Sequence, residues 1–136
     1  MFIVETYLGI SKINGIGVFA KDKIPAKSLV WEFCPGFDLE IADETFQGFP
    51  SLAQDFILHY GNLVEPRQRN AIKTGALLRM PAKLYLLCSD NARFMNHSDK
   101  PNMSAGTDHN YALCDIDADA EITCDYREFD LVFKEF

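Results

Sequence analysis

The sequence predicts a single, mostly β domain, and three observations carry that expectation. Six runs of four to seven residues, rich in β-branched and aromatic side chains, recur along the chain between Gly, Pro, Asn or Asp turns. Hydrophobic residues make up 48% of the 136 residues, enough for one proper core in a chain too short for two ordinary domains. No repeat, low-complexity tract or linker divides the chain.

The runs are FIVETYL (2–8), GVFA (17–20), SLVWEF (28–33), KLYLLC (83–88), YALCDI (111–116) and EITCDY (121–126). Between the third and fourth, one helix is expected. Pro50 precedes Ser51, Gln54 follows as a capping-box partner, and Gly61 supplies a stop. Leu52, Phe56 and Tyr60 would then share its buried face. Residues 62–82 are mixed and, for this chain, basic; their pattern assigns no element.

Charge and cysteines narrow the function classes. A net charge of -7 argues against a nucleic-acid binder that grips phosphates. It suits a partner rich in lysine and arginine, or serves solubility alone. Cys34, Cys88, Cys114 and Cys124 form no C-x-x-C and sit in apolar, strand-like contexts, as buried free thiols do in intracellular, reduced proteins. His59, His97 and His109 lack ligand spacing, so no metal site is expected and a metal hydrolase is disfavoured. With no apolar run near ~18 residues and no basic-then-apolar start, neither a membrane span nor a signal peptide is expected.

Three segments carry candidate chemistry. In NGIGVFA (14–20), Gly15 and Gly17 flank Ile16 ahead of a strand. Such a turn is either a plain hairpin or a place where backbone approaches a ligand closely, since neither glycine has a Cβ. RFMNHSDKPN (93–102) places a hydrogen-bonding head at most positions around Phe94, Met95 and Pro101. Asn96 and His97 there are core-satisfying polar groups or ligand contacts. EITCDY ends on Tyr126, a packing residue or a catalytic one.

Taken in order, the G-x-G turn, R-F-x-N-H-S-x-x-P-N and E-I-T-x-D-Y resemble the SET-domain family of protein lysine methyltransferases over roughly residues 3–129. The resemblance implies a fold of short curved sheets with one or two short helices in an insert. It also implies a C-terminal pseudoknot, in which residues 93–102 thread a loop of the kind chains rarely form. It divides the domain into an N-terminal part (3–39), a variable insert (40–85), a C-terminal part with the knot (86–126) and a closing tail (127–136).

By the same resemblance the cofactor is S-adenosyl-L-methionine, held by Asn14, Gly15, Ile16 and Gly17, by Arg93 on the pocket wall, and by Asn96 and His97. Tyr126 matches the catalytic tyrosine. An aromatic ring of the tail closes the pocket, Phe129 first and Phe133 second, or these rings simply pack a core. The implied partner is a lysine-containing, basic protein or peptide, with no direct nucleic acid, no membrane, and the oligomeric state open. The implied reaction is displacement at a sulfonium methyl by an amine that must be neutral, which at pH 7 costs lysine about 4–5 kcal/mol.

The chain also departs from the family pattern. Asp99 stands where many relatives carry a zinc-binding cysteine, and no C-x-C follows. Glu32-Phe33 replaces E-Y and so lacks a channel hydroxyl. Cys124 stands where Phe or Tyr influences how many methyls are added. Asp119 replaces a turn glycine, a swap that left-handed geometry tolerates for Asp. Ser89-Asp90 replaces Gly-Asn. The missing hydroxyl and Cys124 support an alternative, a non-catalytic SET-like module that binds protein.

Overall fold

The computed structural model describes residues 1–66, 72–74 and 77–133, with side chains described except at 72–74 and 77–79. Among these residues the strands are β1 (Thr6–Ile10), β2 (Ile16–Ala20), β3 (Leu29–Glu32), β4 (Leu39–Ala42), β5 (Asn62–Val64), β6 (Ile72–Thr74), β7 (Leu77–Arg79), β8 (Leu84–Leu87), β9 (Asn96–His97), β10 (His109–Tyr111) and β11 (Glu121–Cys124). Two α-helices, α1 (Asp43–Gln47) and α2 (Ser51–Tyr60), lie between β4 and β5. The strands form small sheets in the orders β1-β2-β11-β9, β4-β8-β5, β3-β10 and β6-β7. The expected mostly β class, with short helices between residues 40 and 85, is the one observed.

Burial explains the layering. All four residues of β8 are buried, and its side chains alternate between two cores. Leu84 and Leu86 join Val18, Val30, Trp31, Met103, Ile116 and Ile122 in the larger core. Tyr85 and Leu87 point the other way, onto Phe46 of α1 and Ile57 of α2, where the Phe46 and Tyr85 rings stack at 4.4 Å. A central strand covered on both faces reads as a continuous apolar run, which is how KLYLLC stands in the sequence.

Several expectations need correction. Helix α2 starts at Ser51, but Gln54 turns back to the Phe49 carbonyl (2.9 Å) instead of capping the helix. Its buried residue is Ile57, whereas Leu52 is 81% exposed and Phe56 half-exposed. The helix touches β8 through one narrow stripe, while Phe56 and Tyr60 pack on each other (4.8 Å) and on Arg93 and Phe94. The run at 2–8 splits: Phe2 bridges Trp31 and the strand proper begins at Thr6. The run at 111–116 contributes only Tyr111 to β10, because the register shifts after Asn110; Ala112 and Ile116 form isolated bridges to Met103 and Ile24. Of the basic stretch at 62–82, residues 67–71 and 75–76 lie outside the described ones, as does the end of the tail.

Two polar details hold the frame. Asp38, with its side chain fully buried, accepts from the backbone N–H of Cys34 (2.9 Å) and Ser89 (3.3 Å) and pairs the Met1 ammonium (2.6 Å). Asp119 adopts φ 65, the left-handed geometry expected of it, and accepts from the Tyr7 hydroxyl at 2.7 Å.

Candidate active site

The polar stretch 93–102 is explained by what runs beside it. Asp90 caps a 3-10 turn at Asn91–Phe94 by accepting from the Ala92 N–H at 3.1 Å. Met95 then enters the core, and β9 lies parallel to β11, with Asn96 opposite Thr123 and His97 opposite Cys124. Beyond β9, side chains and single backbone bonds continue the ladder. Ser98 donates its N–H to the Cys124 carbonyl (3.0 Å), and Met103 to that of Thr123 (3.1 Å). The Asn102 amide copies a peptide unit, donating to the Glu121 carbonyl (2.8 Å) and accepting from the Thr123 N–H (2.9 Å). Polar heads on a buried path are thus each given a backbone partner.

Asn96 turns its side chain toward the glycine loop. Its Nδ2 reaches the carbonyls of Asn14 (3.0 Å) and Ile16 (3.2 Å) and the Glu121 carboxylate (2.9 Å). Ser11 donates its hydroxyl to the same carboxylate at 2.8 Å. A Cβ on Gly17 would run into that carboxylate, which keeps its place on Asn96 and Ser11 only with glycine there. Gly15 has φ +50 and open space where a Cβ would stand.

Tyr126 follows β11 directly. Its backbone N–H donates to His97 Nδ1 (3.2 Å) and its hydroxyl to the Met95 carbonyl. Burial holds its phenol well above the ordinary tyrosine value, with the nearby Cys124, Asp130 and Cys88 adding to the effect. Asp125, before it, is held down at about 2 chiefly by hydrogen bonding from Arg127, and lies 3.6 Å from His97 Nδ1.

Two hollows meet at this tyrosine, and a third lies beyond one of them. A cleft of about 610 Å³ is lined by Asn14, Gly15, Ile16, Asn96, Tyr126 and Phe133, with α2 and Arg93 completing its wall. A chamber of about 70 Å³ lies against Trp31, Cys88, Met95, Asn110, Tyr126 and Phe129. Tyr126, Met95 and Arg93 belong to both walls. Gly106 and Phe129 in turn connect the chamber to an outer groove of about 400 Å³ that carries Glu65, Glu128 and Asp130.

The expected site residues therefore divide. Asn14, Gly15, Ile16, Arg93, Asn96 and Tyr126 line one cleft. Gly17 and His97 stand just outside that lining, Gly17 against Glu121 and His97 with its ring on Phe133 (4.7 Å). Phe129 faces the chamber and groove, so the tail ring on the cleft is Phe133. Arg93 holds the wall through the Cys88 carbonyl (3.1 Å) and the Phe56 ring. Sequence reasoning missed Glu121, although it heads the E-I-T segment, and it missed Trp31 and Asn110. Those two are directly opposed in the β3–β10 register, a pairing that no local pattern announces.

A family model described as SET domain matches residues 15–127. Among solved structures, a proposed histone methyltransferase of Plasmodium falciparum superposes with a TM-score of 0.58 at 23% identity, over 90% of this chain and 93% of that one. The Neurospora SET domain protein DIM-5, a histone lysine methyltransferase, gives a TM-score of 0.56 at 19% identity, over 99% of this chain and 55% of its own. A humanized mutant of the Chaetomium thermophilum Polycomb Repressive Complex 2 gives 0.61 at 16% identity, over 94% of this chain and 15% of that one. At these identities the likeness establishes the fold. No curated protein matches the sequence.

Proposed function

The chain belongs to the SET-domain family, and from that premise we propose that it is a protein lysine methyltransferase using S-adenosyl-L-methionine on a basic peptide. One observation carries the reading: Tyr126 stands in the wall common to the cleft and the chamber, so two reactants entering from opposite sides would meet at its hydroxyl.

The cleft fits the cofactor. Its volume of about 610 Å³ lies within the roughly 300–1,000 Å³ range of small-molecule sites. The Gly15 position opens onto empty space, leaving Asn14–Ile16 backbone exposed to a guest. Asn96 holds that loop in place, and Phe133 supplies an apolar wall. When bound, the cofactor supplies an electrophilic methyl on a sulfonium.

The chain's own residues would prepare the amine. The chamber is walled by Trp31, Phe129 and Tyr126, and Arg93 borders it while no described carboxylate does. Desolvation and a neighbouring cation both disfavour the ammonium form, so the amine enters ready to lose its proton to solvent. Tyr126, kept neutral by burial, donates to Met95 and retains an oxygen lone pair for an amine N–H. It positions the nucleophile and is not the base. Holding the amine at the junction removes much of the entropic barrier to an in-line displacement. Outside, the carboxylates Glu65, Glu128 and Asp130 suit the basic residues that flank such a lysine.

The experiment is incubation of the protein and labelled cofactor with histones and with a cell lysate, followed by mass mapping of the label. Label on lysines, lost with Tyr126→Phe, is expected. Label absent from every lysine, or transfer indifferent to Tyr126→Phe, overturns the reading.

A further inference from the structure

Tyr126 is held at two points, and one of its holders can gain a proton. Its hydroxyl donates to the Met95 carbonyl, and its backbone N–H donates to Nδ1 of His97 at 3.2 Å. A backbone amide only donates, so Nδ1 must carry the lone pair, and the imidazole is the neutral Nε2–H tautomer. The side chain is 20% exposed, so water reaches it. Its Nε2 lies 3.5 Å from Asp99 Oδ1, and Asp125 Oδ1 lies 3.6 Å from the Nδ1 that serves Tyr126. Arg127 bridges the two carboxylates, at 3.0 Å to Asp99 and 2.6 Å to Asp125. The ring also meets those of Phe133 (4.7 Å) and Tyr126 (5.9 Å). Cys124, opposite His97 in the ladder, has a thiol that burial keeps neutral.

Resting on the reading of Tyr126 as the residue that seats the acceptor amine, we infer that the neutral His97 side chain is a positioning residue for methyl transfer, setting Tyr126 through its backbone N–H. A proton added to Nδ1 takes up the lone pair and leaves two donors face to face. The Tyr126 N–H then loses its acceptor. The new Nδ1–H finds one in Asp125, which stays ionised because hydrogen bonding from Arg127 holds it at about 2. That same Asp125 Oδ1 caps the turn, accepting from the Arg127 N–H at 3.0 Å and from its Nε at 2.8 Å. Protonation therefore disturbs both bonds that fix the start of the Tyr126–Glu128 turn, which carries Phe129 to the chamber. His97 stands outside the cleft lining, so the effect falls on kcat and not on cofactor affinity.

Two readouts on the full chain test this. The first needs no activity: ¹⁵N NMR of the labelled protein, titrated between about pH 5 and 8, where histidines change charge. Expected are an unprotonated Nδ1 at the alkaline end and a Tyr126 amide resonance that shifts together with the His97 ring. The second is kcat at saturating cofactor, with histones as acceptor, for wild type, His97→Asn and His97→Gln. An Asn amide oxygen reaches the place of Nδ1 and does not titrate, whereas Gln reaches the place of Nε2. His97→Gln should lose about tenfold in kcat, the size of one stranded donor, and His97→Asn should recover most of that loss. The ratio of wild-type to His97→Asn rates cancels the lysine's own titration. It should fall about tenfold as the His97 ring takes up its proton. An Nδ1–H tautomer, a Tyr126 amide indifferent to the ring's proton, a flat ratio, or equal losses in the two variants overturns the inference. If the amide follows the ring and no methyl is transferred, the enzyme reading alone fails. Transfer with an unmoved amide would sink this inference alone.

Discussion

The Asn96 side chain lies 2.9 Å from the carboxylate of Glu121, and through that contact the polar stretch, the glycine loop and β11 are held as one unit. Glu121 also receives the Ser11 hydroxyl. Hydrogen bonds to a charged group are worth about 1.5–3 kcal/mol each, and removing the acceptor strands its donors. Glu121→Ala should therefore lower stability by about 2–4 kcal/mol in urea unfolding. Cofactor affinity should fall at least tenfold by calorimetry, because the loop that Asn96 holds would be released. A variant with wild-type affinity would show that the loop needs no such anchor.

The two glycines should respond differently. Gly17→Ala drives a methyl into the Glu121 carboxylate, which must swing off Asn96 and Ser11, so cofactor affinity falls with the loss of that tether. At Gly15 the added methyl meets nothing, and the cost is the positive φ alone, about 1 kcal/mol. Paired melting and binding measurements separate these outcomes. Equal effects at both positions would contradict the placement of Glu121.

Tyr126→Phe removes the hydroxyl and leaves the ring against Phe133 and Phe129. The lost bond to the Met95 carbonyl should cost about 1 kcal/mol. Methyl transfer should fall about a hundredfold or more, the scale of a positioned catalytic group, with cofactor affinity nearly unchanged. A drop in affinity that matches the drop in rate would assign the hydroxyl to cofactor binding.

Burial pushes the Cys88 thiol up to about 12, and it raises the Cys124 thiol and the Tyr126 phenol well above their ordinary values of 9.0 and 10.0. In each case the folded chain keeps its proton to higher pH than the unfolded chain does. The stability this represents is fully present below pH 9 for the thiols and 10 for the phenol. Above those values it is lost at about 1.4 kcal/mol per pH unit for each group, until the folded group also ionises. Urea midpoints should thus fall steeply on the alkaline side. Iodoacetamide at about pH 8 should modify exposed Cys114 in the native protein and reach Cys88 and Cys124 only on unfolding. Rapid native labelling at Cys124 would contradict its burial beneath Tyr126.

Asp38 offers a test of the frame away from the site. Its carboxylate has no exposure and collects donors from Met1, Cys34 and Ser89. Asp38→Ala leaves the Cys34 and Ser89 N–H groups unpaired and the Met1 ammonium with only the Glu32 carbonyl, and should cost about 3–5 kcal/mol in unfolding free energy. A change under 1 kcal/mol would mean that water reaches these donors.

The readable part of this molecule is what local chemistry decides. KLYLLC and EITCDY declare buried strands because both of their faces meet apolar neighbours. Asp119 declares its turn because Asp tolerates left-handed backbone. Asn14 through Ile16, Asn96 and Tyr126 were legible as an ordered trio of motifs, and they do border one cleft. What escaped depends on pairing between distant segments. Leu52 and Phe56 carry the right helical spacing, yet α2 rests on β8 through Ile57, so spacing alone misplaced the buried face. Strand β9 has two residues and takes its form from β11, and Trp31 meets Asn110 only through the pairing of β3 with β10. Phe129 and Phe133 are equivalent in sequence, and only the turn at Tyr126–Glu128 sends one to the chamber and the other to the cleft.

Calorimetric titration with S-adenosyl-L-methionine, on wild type and Asn96→Ala, tests the central claim most directly. The account predicts one site per chain in the wild-type protein and at least tenfold weaker binding in the variant, whose glycine loop has lost its tether. Absence of binding at about 1 mM, where only about 4 kcal/mol of affinity is needed to register, would contradict it. Unchanged binding by Asn96→Ala would contradict it equally.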